Sequence, residues 1–435
     1  MIAPLAPVEL LERSRRGEPV DPGSVGAFVR GWLDGTVTDA QMAAWCMAAC
    51  LSGIGPEAVA ELTEALVASG DRLELGRLGP TGDTHSTGGV GDATTLAAAP
   101  LAAALGVKVA KTSGRGLAHT GGTVDKLEAI PGFLTDLPLE RFVRQVRDVG
   151  VAVIGQTARL TPADKRLYAL RDQTGTVPSV GLVASSIMSK KIAGGAGAIA
   201  LDVKAGSGAF FADAAAAREA ALTMAELARP WGRAVRWMVT AMDQPLGRFV
   251  GNALEVRGAA EVLRGEGAPD LRELAARVAG DLAEAAGVVE EGDGRRAAEA
   301  ALASGDALAA AERWVAAQGG DPRVWTEEDA LPRAPVRRPV PAPADGYLAA
   351  LDARAVGEAA RWLGAGRLHA AQAIDPAAGI ELLAKVGDPV RRGEPLADVH
   401  ARDEFLADRA VAMVAAGLSV ASEPVPAPTL VLEEG

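Results

Sequence analysis

The sequence predicts an α/β fold: a helical lobe, a larger mixed α/β lobe around a central and largely parallel sheet, and a C-terminal α+β domain. Three features point to it. Short segments of small and β-branched residues, Val107–Lys111, Val151–Gln156, Ala198–Lys204 and Val235–Met242, alternate with helical stretches, as in strand–helix–strand units. Residues 1–75 carry helix signals only. Residues 160–195 read as helical again between two of the strands, so the chain is expected to leave the sheet, join the helical lobe and return, with a cleft between the lobes.

In order along the chain, Thr38-Asp-Ala-Gln41 has the form of a capping box opening an apolar helix. Pro56 fits the first turn of the next helix, whose Val59, Leu62, Leu66 and Val67 fall on one stripe. The expected domains are an N-terminal helical domain over 1–75, with 160–195 returning to it, and a central α/β domain over 76–330. A linker over 331–345 and a C-terminal α+β domain over 346–435 follow. The linker rests on five prolines between Leu331 and Gly346.

With 435 residues and 49% hydrophobic content, the chain can bury substantial cores. A net charge of −12 disfavours a nucleic-acid surface, so any anion must be held locally. The N-terminal Met1–Val8 lacks the basic and long apolar regions of a secretory signal. The most apolar run, Ala93–Val107, contains Pro100 and is too short to span a bilayer. The expectation is a soluble, cytoplasmic protein with no membrane partner. Cys46 and Cys50, four apart on one helix with no further ligands near them, read as a packing pair and not as a metal site.

Two stretches carry the chemistry, Thr84-His-Ser-Thr-Gly-Gly-Val-Gly-Asp92 and Lys111-Thr-Ser-Gly-Arg-Gly-Leu-Ala-His-Thr-Gly-Gly-Thr123. Glycines let the backbone approach a ligand and offer free N–H groups to an anion. Ser86, Thr87, Thr95, Ser113, Thr120 and Thr123 add hydroxyl donors, and each stretch runs into a helix start. Together they read as a site for phosphate or a phosphorylated ligand. His85 within the first stretch can hydrogen-bond or exchange a proton near neutral pH, whereas His119 in the second has a competing bracing role. In the returning helical segment, Ser186 and Lys190 are four apart and share a face, and Arg171 adds a planar fork. These three suit a flat heterocycle bearing carbonyls.

At this point the motifs become specific. His85–Asp92, Ser113–Glu128, Ala163-Asp-Lys165, Leu167-Tyr-Ala-Leu-Arg-Asp172, Ser186-Ile-Met-Ser-Lys-Lys191, Asp202–Phe210 and Gly251–Val256 resemble the thymidine and pyrimidine-nucleoside phosphorylases, in order and over nearly the whole chain. Lys111 and the wording of Ala184–Lys191 look closer to the broad-specificity bacterial pyrimidine-nucleoside enzymes. The resemblance implies reversible phosphorolysis of uridine, thymidine or deoxyuridine to free base and pentose 1-phosphate, in nucleoside salvage and catabolism. It places phosphate at Ser86, Thr95, Lys111, Ser113 and Thr123, with Thr84 beside them. It places the pyrimidine at His85, Arg171, Ser186 and Lys190, with Tyr168 bordering the sugar, and makes His85, Arg171 and Lys190 the catalytic set. It implies a homodimer formed through the helical lobe and closure of the lobes over the substrates. Two other readings stay open: an anthranilate phosphoribosyltransferase-like transferase, and a non-catalytic nucleoside-binding relative.

The chain departs from the family pattern in three ways. Thr84 stands where lysine is usual, which removes a charge from the phosphate site. Ala93 and Gly258 replace two side-chain ligands of a potassium site found in some members, so no strong potassium site and no other resident cofactor are expected, phosphate being a co-substrate. Ala118 and Gly175 are smaller changes of glycine and alanine.

Overall fold

The computed structural model describes residues 5–116, 119–157, 159–369 and 372–435. Leu117 and Ala118, inside the second glycine-rich stretch, lie outside them, and so does the Ala118 departure. Four helices come first: α1 (Pro7–Arg15), α2 (Ser24–Asp34), α3 (Asp39–Ser52) and α4 (Pro56–Ala68). Strands β1 (Thr81–Ser86), β2 (Lys108–Thr112) and β3 (Val151–Ile154) then alternate with α5 (Thr94–Ala104), α6 (Thr123–Leu127) and α7 (Leu139–Val149). The pair α8 (Pro162–Thr174) and α9 (Val180–Ala193) precedes β4 (Ala198–Ala205), α10 (Ala214–Ala228), β5 (Ala234–Ala241), α11 (Asn252–Leu263) and α12 (Pro269–Ala285).

The α/β class is as the sequence predicts. The central sheet has the order Val431–Glu434, β5, β4, β1, β2, β3. The pairs β1–β2, β1–β4 and β2–β3 are parallel, and Val431–Glu434 runs antiparallel to β5. Every residue of β3 and β4 is buried, so β3 is apolar throughout, and β4 is apolar except for Asp202 and Lys204, which pair with each other. Nothing local marks β1 as a strand, because Thr-Gly-Asp-Thr-His-Ser carries no apolar signal. Its place between two partner strands, not propensity, makes it a strand.

The chain divides into two compact units. A helical unit is built from residues up to Arg77, Gln156–Gly197 and Arg218–Val235. Its core joins Phe28, Trp32 and Trp45 to Leu62, Leu66, Leu167 and Leu182, so α8 and α9 pack on the N-terminal helices. Thr38 and Gln41 form the expected capping box. Cys46 is buried, and burial pushes its thiol up to about 12, which makes it an unreactive packing residue. The α/β unit comprises Leu78–Gly155, Ala198–Ala217 and Arg236–Gly435. Residues 218–235, expected in the central α/β domain, belong to the helical unit instead, since an Ala-rich helix does not announce which core it packs against.

The C-terminal region forms two small antiparallel sheets, one of them extended by Phe249–Val250 from the preceding region. One corrects the linker assignment: Val336–Pro341, inside 331–345, is an edge strand paired with Pro395–Ala401. Proline lacks a donor, so Pro339 and Pro341 are tolerated where only one side of the strand needs hydrogen bonds. Among the described residues, no helix is long and apolar enough to cross a membrane.

Candidate active site

In the α/β unit, β1 delivers His85 and Ser86 to the start of the first glycine-rich turn. Gly88 has φ 99° and Gly91 φ 72°, conformations that residues with a Cβ rarely adopt, and α5 then opens with Thr94 and Thr95. The Ser86 hydroxyl donates to Asp92 at 2.5 Å and accepts from the Gly88 N–H at 3.2 Å. The second turn follows β2. The Ser113 N–H donates to Ile154 O at 2.9 Å, which ties the turn to β3. The chain closes on itself before α6: a Cβ on Gly122 would lie 2.0 Å from Gly116 N, and Gly116 N–H donates to Asp125 at 2.7 Å. Thr123 is the first residue of α6. Arg115 bridges Asp125 and Glu128, and Arg367 from the C-terminal region also reaches Asp125 at 3.0 Å.

His119 takes the bracing role. Its Nε2 lies 3.1 Å from Gly208 O, and a carbonyl only accepts, so Nε2 carries the proton. Burial lowers the imidazole pKa, which keeps the ring neutral at pH 7. Lys111 is 2% exposed, and its ammonium donates to Thr84 O at 2.5 Å with the Asp83 carboxylate at 3.9 Å. Its charge therefore sits against the backbone of the residue that replaces the usual lysine.

A buried ionic network underlies these turns. Lys126 donates to Asp92 O at 2.7 Å and pairs with Glu255 at 2.6 Å. Lys204 pairs with Asp202 at 2.5 Å, and Asp202 accepts from Thr240 at 2.6 Å. Burial alone would raise the Asp92 pKa. The Lys204 and Lys126 charges, with hydrogen bonds from Ser86 and Thr94, outweigh it and hold the carboxyl below its ordinary value. Burial raises Asp202 and Glu255.

In the helical unit, α8 begins after Thr161, the one non-glycine residue with positive φ among the described residues, at 45°. Proline at the first turn suits the helix start. Lys190 on α9 donates to Asp164 on α8 at 2.6 Å and to Ser186 at 2.9 Å. Ser186 and Lys190 thus share a face as their spacing predicts. Arg171 is 1% exposed, and three of its five N–H donors go to Thr176 O, Val177 O and Leu182 O at 3.2, 2.6 and 3.1 Å. It holds the α8–α9 connection and keeps two donors for other work. Its guanidinium carbon lies 5.9 Å from the Tyr168 ring centre, and burial pushes that phenol up. Asp92 and Asp164 join the site although nothing in the sequence gives them a role. Each lay inside a quoted motif, but only the fold shows which donor each one holds.

Positions 93 and 258 carry no side-chain oxygen. Position 93 is alanine, and a Cβ on Gly258 would already lie 2.9 Å from the Phe249 ring, which Arg257 covers at 5.0 Å. The neighbouring turn has a cation of its own: Lys385 donates to Pro245 O, to Gly247 O at 2.8 Å and to Asp270 at 3.0 Å.

Three family models match the chain: the glycosyl transferase family helical bundle domain over residues 8–70, the glycosyl transferase family a/b domain over 78–308, and the pyrimidine nucleoside phosphorylase C-terminal domain over 347–421. A pyrimidine-nucleoside phosphorylase of Geobacillus stearothermophilus is 45% identical over 431 residues, covering 98% of this chain and 99% of the relative. That of Bacillus subtilis (strain 168) is 44% identical, covering 96% of each. Among solved structures, anthranilate phosphoribosyltransferase from Thermus thermophilus aligns with a TM-score of 0.57 at 24% identity, over 71% of this chain and 99% of that one, a likeness of fold alone.

Proposed function

Because the chain belongs to the pyrimidine-nucleoside phosphorylases of the glycosyl transferase family, we propose that it catalyses reversible phosphorolysis of uridine, deoxyuridine and thymidine to free base and pentose 1-phosphate. The observation that carries this reading is the near-full-length identity to named phosphorylases, with both the glycine-rich turns and the Ser186–Lys190 face present. Its place is nucleoside salvage in the cytoplasm.

A phosphate oxygen forms the new bond to C1′ while the bond from C1′ to the base nitrogen breaks, its electron pair leaving with the base. The sugar carbon passes through an oxocarbenium-like state, as in glycoside hydrolysis. The nucleophile is already an anion, so no protein nucleophile is needed. The tasks are positioning and charge stabilisation. Phosphate is held by Ser86, Thr95, Ser113 and Thr123 with the adjacent backbone N–H groups, and Lys111 and Thr84 shape that floor. The departing pyrimidine accepts from Lys190, Ser186 and the uncommitted donors of Arg171. Asp164 fixes the Lys190 ammonium, and Ser186 Oγ, accepting from Lys190, keeps its own O–H for the ligand. His85 meets a base carbonyl or gives the leaving base its proton, and Tyr168 borders the sugar. The enzyme works without a resident metal or organic cofactor.

The active form is a homodimer through the helical unit, whose α1–α3 expose Val8, Leu33, Met47 and Leu51. The deciding assay is phosphate-dependent loss of uridine or thymidine absorbance without added magnesium. Uracil binding by calorimetry with no turnover at high phosphate would instead mark a non-catalytic relative.

A further inference from the structure

We propose that the phosphate site reads a protonated oxygen: Ser86 accepts a hydrogen bond from a P–OH group, so the site takes hydrogen phosphate and discriminates against unprotonated oxyanions such as sulfate. The inference rests on the reading that the first glycine-rich turn holds inorganic phosphate. It follows from counting donors and acceptors on one hydroxyl.

A serine hydroxyl has one hydrogen to donate and two lone pairs to accept with. At Ser86 the hydrogen goes to Asp92 at 2.5 Å, and one lone pair takes the Gly88 N–H at 3.2 Å. What remains for a ligand is a single acceptor. Asp92 cannot reverse the polarity of this bond by supplying a proton. Its carboxylate also accepts the Thr94 N–H at 3.3 Å, its backbone carbonyl is pinned by the Lys126 ammonium, and the Lys126 and Lys204 charges favour its ionised form. Turning the Ser86 hydrogen outward would strip a hydrogen bond from a buried carboxylate, a costly loss for a charged group with no solvent to replace it.

An oxyanion oxygen placed against Ser86 therefore meets a lone pair, with a carboxylate behind it. If that oxygen carries a hydrogen, the contact is a hydrogen bond; if not, it is a repulsion. Inorganic phosphate near neutral pH always carries at least one P–OH, whereas sulfate carries none. The other phosphate-binding groups are donors and would hold either anion, so Ser86 and Asp92 are the specificity-determining pair.

The test is titration calorimetry of the full chain at pH 7 with inorganic phosphate and, separately, with sulfate, alongside a uridine phosphorolysis assay. The wild type is expected to bind phosphate at least about tenfold more tightly than sulfate, the discrimination that one charge-assisted hydrogen bond supplies. In Ser86→Ala the lone pair is gone and the two affinities converge. In Asp92→Asn the amide donates to Ser86 Oγ, frees the hydroxyl hydrogen, and sulfate binding tightens. Should Asp92→Asn fail to fold, Ser86→Ala decides alone. Equal wild-type affinities with phosphorolysis intact, or a ratio unchanged by Ser86→Ala, would overturn the inference while leaving the phosphorylase reading standing. A wild type that binds neither anion and consumes no uridine would overturn both.

Discussion

The Lys190 ammonium lies 2.6 Å from the Asp164 carboxylate, and the two residues come from separate helices of the same unit. A mobile side chain is thereby given one direction. Asp164→Asn keeps the shape and removes the charge that anchors it. The expected result is a fall of roughly 10- to 100-fold in kcat/KM for uridine, as for a misplaced catalytic group, with the KM for phosphate close to wild type. Lys190→Met should cost more, about 10²–10³ in kcat. An Asp164→Asn enzyme with unchanged uridine kinetics would show that Lys190 needs no anchor.

Thr84 is buried, and its carbonyl receives the Lys111 ammonium. Thr84→Lys would restore a second positive charge at the phosphate site. The KM for phosphate should drop by roughly tenfold, the scale of a hydrogen bond to a charged group. Steady-state rates over a phosphate series decide this, and an unchanged or higher KM counts against it.

Potassium should give no activation over sodium at equal ionic strength, since Ala93 and Gly258 offer no side-chain oxygen. Lys385 supports the neighbouring turn instead. Lys385→Met, which orphans the Pro245 and Gly247 carbonyls, should lose about 1–3 kcal/mol of stability. Thermal unfolding in each salt, with initial rates alongside, checks both statements.

Asp281 is pushed up to about 6, chiefly by burial and then by the Glu284 and Glu434 charges. A carboxyl whose folded pKa is raised binds its proton more tightly when folded. Its contribution is therefore fully present below the ordinary carboxyl value of 3.8 and is lost as pH rises through about 6. Asp281→Asn should be more stable than wild type at pH 8 by about 1–2 kcal/mol, with the gap closing towards pH 4. Melting curves of both proteins across that range would expose a pH-independent difference.

Met47 and Leu51 are four apart on α3 and exposed, Leu51 at 80%. A Met47→Glu, Leu51→Asp double variant should run as a monomer in light scattering where the wild type runs as a dimer. A monomeric wild type would remove the proposal.

What the sequence disclosed was whatever local periodicity encodes. Val151–Ile154 and Ala198–Leu201 are buried on both faces and so look apolar throughout. Ser186 and Lys190 meet because helical spacing brings them together. What stayed hidden depended on distant partners. Strand β1 is polar and exists because β2 and β4 flank it. The proline-bearing 336–341 is a strand because 395–401 lies beside it. Asp92 and Asp164 looked like ordinary motif residues, since nothing local says that one orders a hydroxyl and the other an ammonium. Arg171 looked like a free fork, and the carbonyls it holds at 176, 177 and 182 became visible only with the loop's path.

The antiparallel strand Val431–Glu434 caps the outer edge of β5, and beyond it Trp237 and Gly435 exchange both of their backbone hydrogen bonds at 2.9 Å. During synthesis that edge stays bare until Val431–Glu434 has been made, long after Ala234–Ala241. Through that interval the nascent sheet exposes unpaired amides, a template for strand addition by a neighbouring chain. Deleting Val431–Glu434 should therefore harm yield and solubility more than its small surface would suggest.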